Sequence, residues 1–294
     1  TGVTVMLPDA PSLCAVDVRG GGPGTRETDT LALGGLVDRV HAIVLAGGSV
    51  YGLAAADSVC RELGARGIGF VAGPPPIPVS PIVPSAILFD NANGGKKDWG
   101  TSPPYESLGR AALKAASHEP SEGAVGAGYG AQAGLYRGGF GMASETVNGV
   151  TVSAMLAANP IGSPFLPGTQ VPYAWIYEQD REFGGARPPS DYVWTPPTDT
   201  KLAQFAQAGQ NTVIGAVLTD AALSSSDLKR LAIMAQDGLA LAVQPSHTPL
   251  DGDTLFALSI GQAAIDGPGA LSELGAAAAR TVARALTRGV LRSQ

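Results

Sequence analysis

The chain has 294 residues, of which 45% are hydrophobic and only 15% are charged. Charged residues make up about 25% of an ordinary globular domain, so this composition excludes a disordered or highly charged chain. The net charge of -6 also argues against nucleic acid or an anionic membrane as the partner, because an acidic chain lacks the field that neutralises phosphates. We therefore expect a packed protein of one large or two small domains, with a small neutral or cationic substrate.

The two cysteines indicate a reducing compartment. Cys14 lies in an apolar strand-like run and Cys60 in a helical pattern, so both are predicted to be core residues rather than disulfide partners. Neither a long apolar run nor a basic segment followed by an apolar one is visible, so we expect no membrane span, no secretory signal and a cytoplasmic location. The sequence begins without Met on strand-like residues 3–7, which predicts that further residues precede it.

Short β-branched runs alternate with helical patterns along the chain. The predicted strands are residues 13–18, 42–46, 68–71, 150–157, 213–219, 239–243 and 254–260. The predicted helices are residues 51–63, 105–116, 227–234 and 271–291. Ser224, three residues before Asp227, resembles a capping box for the third helix. The last helix is amphipathic, and the fold class is α/β or α+β, with sheets buried between helices.

Two proline-rich stretches interrupt this alternation. Residues 73–84 contain six prolines and are predicted to form a rigid extended loop. Residues 163–200 contain seven more, together with Trp175 and Trp194. An interdomain linker would leave these aromatic side chains in solvent, so we favour an ordered excursion that shapes a site or a subunit contact. We call residues 163–200 the aromatic excursion.

Glycine-rich turns were compared with known phosphate-binding patterns. Residues 128–133 fit G-x-G-x-x-A, but neither a preceding strand nor a following helix is clear, so no dinucleotide cofactor is predicted. Residues 20–24 contain Pro23 and lack the Lys-Ser/Thr end of a phosphate loop. Gly47 and Gly48 lie between a strand and a helix, where backbone N–H groups either bind an anion or oxyanion or form a simple turn.

The polar constellations leave several chemistries open. A serine-hydrolase elbow would need glycine where Tyr51 stands. His247, Asp251 and Asp253 are compatible with a hard metal, with an ordinary turn, or with two carboxylates that orient an amine, and we predict no metal. In residues 209–215 a polar loop meets a strand that begins at Thr212, which by itself is only a strand start.

Seven segments carry a resemblance to one family. They are residues 15–29, 45–53, 81–84, 126–128, 159–162, 211–215 and 247–257. In this order they resemble the DmpA-like self-processing aminopeptidase family, which includes β-peptidyl aminopeptidases and the 6-aminohexanoate-oligomer (nylon-oligomer) hydrolase. Thr212 and the turn Asp251-Gly252-Asp253 look most similar to the nylon-oligomer branch, since other members carry serine at the cleavage point.

The resemblance implies an N-terminal-nucleophile hydrolase with an αββα four-layer sandwich and no cofactor. Residues 1–294 would form one hydrolase domain, cut between Asn211 and Thr212 into a large subunit 1–211 and a small subunit 212–294. The Thr212 hydroxyl would attack its own preceding carbonyl. The α-amine freed by the cut, with a reference pKa of about 7.7 to 8.0, would then serve as the general base for that hydroxyl.

The same resemblance implies roles for further residues. Asn159 would hold the substrate carbonyl or oxyanion, and Asp251 and Asp253 would hydrogen-bond the amine and hydroxyl of Thr212. Three other positions are implied substrate-binding residues: Tyr51 in the pocket, and Gly47 and Gly48, which allow close backbone approach.

One position departs from the family pattern. Relatives carry lysine after the Ala-Gly or Val-Gly of the glycine-rich segment, whereas here Ala133-Gly134 is followed by Leu135. Arg137 lies two residues further on and is predicted to supply the missing charge, although its planar guanidinium differs from an ammonium in shape and is a poor proton donor.

These observations predict a self-cleaving threonine amidohydrolase that acts on linear amides, either 6-aminohexanoate oligomers or small peptides. The alternatives are an exo-acting aminopeptidase that needs a free substrate amine, and an α/β ligand-binding protein that no longer reacts. The resemblance also implies a homotetramer of processed heterodimers, with the aromatic excursion as a candidate interface or cleft wall.

Overall fold

The computed structural model describes residues 1–203 and 211–294. These residues contain two large sheets between two layers of helices, and a separate two-stranded sheet of residues 132–133 and 136–137. The strands are β1 (Val3–Met6), β2 (Ser12–Val18), β3 (Thr25–Arg26), β4 (Arg39–Val40), β5 (Ile43–Ala46), β6 (Ser85–Ile87), β7 (Gln132–Ala133), β8 (Tyr136–Arg137), β9 (Gly139–Val147), β10 (Val150–Asn159), β11 (Thr212–Ala221) and β12 (Thr254–Ala263). The helices are α1 (Ala54–Ala65), α2 (Tyr105–Lys114), α3 (Ser225–Ala235), α4 (Asp237–Ala242) and α5 (Gly267–Leu291). As predicted, the Ser224 side chain caps α3 by accepting a hydrogen bond from the Asp227 backbone N–H.

The larger sheet has six strands in the order β4-β2-β12-β11-β10-β9. Its central pair, β11 and β12, is parallel, and each of the other neighbouring pairs is antiparallel. The smaller sheet has the order β1-β5-β6-β3. The two central strands of the larger sheet therefore begin at the same edge, which brings the turn before β12 next to the start of β11.

Both faces of the larger sheet are buried, which explains why its strands read as nearly continuous apolar runs. On β11, Val213 and Val217 pack toward α3, α4 and α5, whereas Ile214 and Ala216 pack toward the smaller sheet. Helices α1 and α2 cover the other face of the smaller sheet. The layer order is thus helices, sheet, sheet, helices, and the predicted αββα sandwich is confirmed.

The aromatic excursion is ordered, as the sequence predicted. Its Glu182 accepts hydrogen bonds from the guanidinium groups of Arg284 and Arg288 on α5, the latter at 3.0 Å. Phe165 is buried and stacks edge-on against Tyr136, with ring centroids 4.7 Å apart. The arginine face of α5 therefore holds the aromatic excursion in place.

Two predicted strands are wrong. Residues 239–243 belong mainly to α4, because Leu239, Ala242 and Val243 reach one core at helical spacing. Residues 68–71 contribute only an isolated bridge between Phe70 and Ser80, since they directly follow α1 and enter the proline-rich loop. Short apolar runs do not distinguish a strand from a helical turn without their tertiary partners. None of the helices in the described ranges has the length and apolarity needed to cross a membrane.

Candidate active site

Thr212 is the first residue of β11, and Asn159, the last residue of β10, lies directly opposite it in the antiparallel ladder. Both are buried, with relative exposures of 2% and 0%. Since strand side chains alternate between faces, Thr212 shares the face of Ile214 and points into the space between the sheets. The ladder register therefore brings together the predicted nucleophile and the predicted carbonyl-binding amide.

The bond that precedes Thr212 is held from the side by Gly252. The structure is that of the continuous chain, so it shows this junction before any cut. The Gly252 N–H donates to the Asn211 carbonyl oxygen at 2.7 Å and also lies 3.1 Å from Thr212 Oγ1. The Thr212 hydroxyl in turn contacts the Asn211 carbonyl oxygen. The hydroxyl of the predicted nucleophile therefore lies beside a carbonyl whose oxygen already accepts a backbone N–H.

Only glycine fits at position 252. A Cβ there would lie 2.6 Å from the Gly22 carbonyl oxygen and 2.8 Å from Thr212 Oγ1. The sequence pointed to the flanking aspartates and missed the backbone donor between them. The only signal was the glycine itself, whose small size permits close approach of two backbones.

Asp251 is a buried carboxylate surrounded by donors. Its Oδ1 accepts from the Ile161 N–H at 3.2 Å, and its Oδ2 accepts from the N–H and hydroxyl of Thr248 at 3.0 and 2.7 Å. Burial and the neighbouring charge of Asp253 raise the pKa of Asp251 to about 6. Asp251 therefore changes charge close to neutral pH.

Asp253 connects the nucleophile strand to His247. Its Oδ1 accepts from the Val213 N–H at 2.8 Å, and its Oδ2 lies 2.8 Å from His247 Nδ1. Burial opposes a charged imidazole, but the hydrogen bond and charge of Asp253 prevail and raise the pKa of His247. In the uncut chain the carboxylate thus bonds the residue after Thr212. The amine that the resemblance assigns to it exists only after cleavage.

The Asn159 side chain is fixed by several elements. Its Oδ1 accepts from the Gln132 N–H at 2.9 Å and from Asn93 Nδ2 at 3.3 Å, and its Nδ2 donates to the Phe89 carbonyl at 3.0 Å. A primary amide has two N–H donors. Within the described residues the second N–H bonds no acceptor, which leaves it for a substrate carbonyl.

Lys201 is a site residue that sequence reasoning missed. It is 1% exposed, and its Nζ lies 2.8 Å from Asn211 Oδ1, 3.3 Å from Asn159 Oδ1 and 3.3 Å from the Asn159 carbonyl oxygen. Burial lowers the pKa of this lysine to about 7, although the charge of Asp251 opposes the shift. No motif contains Lys201, and its only sequence signal is its position just after the aromatic excursion.

Lys201 reaches the site because the end of the aromatic excursion is anchored. Asp199 Oδ2 accepts hydrogen bonds from the Tyr136 and Ser163 hydroxyls, each at 2.8 Å. The Lys201 N–H then donates to the Ile161 carbonyl at 2.9 Å. The aromatic excursion therefore shapes the site, which is one of the two roles predicted for it.

Leu135, where the resemblance implied a lysine, lies beside this anchor. The Leu135 N–H donates to the Asp199 carbonyl at 3.0 Å. Arg137, predicted to replace the missing lysine, is exposed on β8, whereas Lys201 is buried at the junction. The cation that contacts Asn211 at the predicted cleavage point therefore comes from a different segment of the chain.

The Gly47-Gly48 turn is a packed connection in this structure. The Gly47 N–H donates to the Gly2 carbonyl at 2.9 Å, and the Gly48 N–H donates to Asp90 Oδ1 at 2.7 Å. A Cβ on Gly48 would lie 1.7 Å from the Tyr105 hydroxyl oxygen. Both N–H groups are thus engaged within the protein, which favours the second of the two interpretations left open.

Tyr51 lines a cavity of about 240 Å³ on the outer side of this turn. Its ring contacts Trp99 edge-on at 5.7 Å, and the other lining residues are Asn91, Lys97, Asp98 and Gly100. The loop that contains Asn91 also supplies the Phe89 and Asn93 contacts to Asn159. One loop therefore both lines this cavity and holds the Asn159 side chain.

Residues 209 and 210, the end of the polar loop predicted before β11, lie outside the described residues. Within 1–203 and 211–294, no three His, Cys, Asp or Glu side chains are arranged to hold a metal ion. His247 and Asp253 instead bond each other directly.

The sequence signature of peptidase family S58 matches residues 1–294. The chain is a member of peptidase family S58. It is 43% identical to an uncharacterized aminopeptidase of Mycobacterium tuberculosis, a match that covers all of this chain and 86% of the relative. It is also 32% identical to the 6-aminohexanoate-oligomer endohydrolase of Kocuria sp., over 88% of this chain and 69% of the relative.

Solved structures give the same fold for this S58 member. The L-aminopeptidase D-Ala-esterase/amidase of Ochrobactrum anthropi, described as a variant of the Ntn hydrolase fold, has a TM-score of 0.72 at 21% identity and covers 99% of this chain and 78% of its own. A Burkholderia β-aminopeptidase has a TM-score of 0.71 at 21% identity and covers 100% and 79%. The resemblance seen in the sequence is confirmed, and the protein is a peptidase or amide hydrolase.

Proposed function

We propose that this protein is a self-processing threonine amidohydrolase whose nucleophile is Thr212. The observation that carries the proposal is the contact of the Thr212 hydroxyl with the Asn211 carbonyl, whose oxygen accepts the Gly252 N–H at 2.7 Å. A backbone donor fixed at that oxygen stabilises the negative charge that develops when the carbonyl is attacked.

Cleavage proceeds through an N-to-O acyl shift. Thr212 Oγ1 bonds to the Asn211 carbonyl carbon, the C–N bond breaks, and the hydroxyl proton ends on the departing nitrogen. Water then hydrolyses the ester, which leaves a carboxylate on Asn211 and returns a hydroxyl to Thr212 beside its new α-amine. The products are residues 1–211 and 212–294.

The processed enzyme uses the same groups on a substrate amide. The Thr212 α-amine accepts the hydroxyl proton, and the Gly252 N–H and the second Asn159 N–H receive the substrate oxygen. We propose linear amides as substrates, either 6-aminohexanoate oligomers or small peptides. The Kocuria relative named an endohydrolase supports internal cleavage, whereas the mycobacterial relatives named aminopeptidases support the alternative of an exo-acting enzyme.

Mass spectrometry of the denatured, purified protein tests the proposal. From a total of 29.6 kDa, cleavage gives fragments of about 21 and 8 kDa, the smaller beginning with Thr212. An active protein that remains entirely intact would contradict the mechanism.

A second assay distinguishes the substrates. Free and N-acetylated 6-aminohexanoate oligomers are compared in one reaction series. Cleavage of both supports the endo enzyme, and cleavage of the free form alone supports the exo alternative. Turnover should fall below about pH 7, because the Thr212 α-amine must be neutral to accept a proton and its reference pKa is about 7.7 to 8.0. The nearby carboxylates Asp251 and Asp253 favour the charged amine and move this limb to higher pH.

The proposal includes an assembly and a location. We propose a homotetramer of processed heterodimers in the cytoplasm, with the aromatic excursion as a candidate interface. Light scattering of the eluted protein in size-exclusion chromatography measures the assembly mass, and a monomeric mass would contradict the tetramer.

A further inference from the structure

Three acceptors surround the Lys201 amine. Nζ lies within hydrogen-bond distance of Asn211 Oδ1, Asn159 Oδ1 and the Asn159 carbonyl oxygen. An ammonium group has three N–H donors and no acceptor, whereas a neutral amine has only two N–H groups and a lone pair. Three acceptors therefore match the ammonium form.

The charged groups near Lys201 come from one loop. The charge of Asp251 raises the pKa of Lys201, against the larger effect of burial. Asp253, which raises the pKa of Asp251, is paired with His247. In the described part of the chain no carboxylate lies within 4.0 Å of Lys201 Nζ, and Asp199 is bonded to Tyr136 and Ser163 instead. The lysine is thus a buried cation whose direct partners are neutral amides.

The two asparagines that Lys201 contacts both have a place in the proposed cleavage. Asn211 provides the carbonyl that is attacked, and Asn159 lies across the ladder from the attacking residue. A cation that holds both side chains fixes the acyl side of the bond against Thr212. It also places positive charge near the oxygen that becomes negative in the tetrahedral intermediate, where burial strengthens its effect.

We propose that Lys201, delivered by the aromatic excursion, is a positioning residue for self-cleavage, whose ammonium group holds the Asn211 and Asn159 side chains while Thr212 attacks. The inference rests on the proposed function. Lys201 exchanges no proton with the reacting atoms, since the proton of the Thr212 hydroxyl passes to the departing nitrogen.

The test follows the cutting of full-length chains made by cell-free translation, sampled over time by denaturing electrophoresis from pH 5.5 to 9. Lys201→Met should slow cutting at pH 6.5 about a hundredfold, the order lost with one oxyanion donor. Lys229→Met is the matched control, because Lys229 also holds a carbonyl and a carboxylate, those of Val16 and Asp17, away from the junction. It should cut at the wild-type rate.

Lys201→Arg separates charge from packing. The wild-type lysine loses its proton as pH rises through about 7, whereas a guanidinium remains protonated. The rate of Lys201→Arg relative to wild type should therefore increase as pH rises through 7. A purely structural role predicts a ratio independent of pH, and this comparison holds even where Lys201→Met fails to fold, as judged by circular dichroism.

A double-mutant cycle identifies the partner. If Lys201 acts through the Asn211 side chain, Lys201→Met should add less than threefold to the slowing caused by Asn211→Ala. Any one of three results would overturn this inference and leave the proposed function intact. They are full additivity in the double-mutant cycle, a ratio of Lys201→Arg to wild-type cutting rates that does not change with pH, and wild-type cutting by folded Lys201→Met. A wild-type chain that never cuts would overturn the proposed function and this inference with it.

Discussion

Two glycine turns in this chain each donate a backbone N–H over the same distance, but to different kinds of acceptor. The Gly48 N–H donates at 2.7 Å to a carboxylate oxygen of Asp90, and the Gly252 N–H donates at 2.7 Å to the carbonyl oxygen of Asn211. Asp90 has no part in the proposed reaction, so the first bond serves only to hold the folded turn. In the proposed self-cleavage the Asn211 carbonyl gains negative charge when it is attacked, so the second bond should strengthen during that reaction.

The titratable groups around the two turns also differ. Around Gly252 lie a buried lysine whose pKa falls to about 7 and a carboxylate whose pKa rises to about 6. Around Gly48 lies the Tyr105 ring, whose pKa burial raises to about 12, which keeps its hydroxyl neutral. Groups that titrate near neutral pH mark the reactive turn, and a close fit marks the structural one.

The largest effect should come from the nucleophile. Thr212→Ala should abolish cutting and leave a single chain of 29.6 kDa, because no hydroxyl is present to attack. Thr212→Ser retains the hydroxyl and should still cut. Intact-mass measurement after prolonged incubation checks both variants, and fragments from Thr212→Ala would assign the nucleophile elsewhere.

Gly252→Ala should slow cutting about 100-fold or more, since a Cβ lies 2.8 Å from Thr212 Oγ1 and displaces the donor from the junction carbonyl. Gly269→Ala is the matched control, because its Cβ meets nothing within 4 Å. Equal cutting rates for the two variants would show that the Gly252 N–H does not act on the carbonyl.

The carboxylates should have a smaller effect. Asp251→Asn and Asp253→Asn should each slow cutting and turnover about tenfold without unfolding the protein, because an amide keeps the volume of the buried carboxylate and removes its charge. The Asp251 carboxylate is protonated as pH falls through about 6, so wild-type cutting should decline there. Asp251→Asn should lack that decline. Asp57→Asn, a half-exposed carboxylate paired with arginines, serves as the control.

Gly48→Ala should have the smallest effect on chemistry and a large effect on stability. Its Cβ lies 1.7 Å from the Tyr105 hydroxyl at a φ of 85°, so the free energy of unfolding should fall by about 3 kcal/mol. Gly149→Ala, at a φ of 77° in open space, should lose only about 1 kcal/mol, which isolates the backbone strain. Denaturant unfolding of uncut Thr212→Ala chains measures both. A Gly48 variant that is stable yet slow to cut would remove the distinction between the two turns.

Much of the fold was readable from the sequence. The apolar runs of β2, β5, β10, β11 and β12 and the amphipathic pattern of α5 placed the central layers, because burial on a sheet or helix face imposes a period on the side chains. The cap at Ser224 was also predicted, since it depends on residues three apart. Residues 239–243 were misassigned, because their helical form depends on the core that they share with α5.

The residues of the candidate site also divide into those predicted from the sequence and those found only in the structure. The sequence identified Thr212, Asn159, Asp251 and Asp253 through the family resemblance of their local segments, whereas the pattern around Thr212 by itself indicated only the start of a strand. It did not identify Gly252 as a donor or Lys201 as the buried cation. The Gly252 N–H reaches the Asn211 carbonyl because β11 and β12 are parallel neighbours. Lys201 reaches the Asn211 side chain because Asp199 is anchored by residues 36 and 63 positions away in the chain. Local patterns are set by neighbours along the chain, whereas a hydrogen bond between distant segments and the pKa of a buried amine are set by tertiary packing.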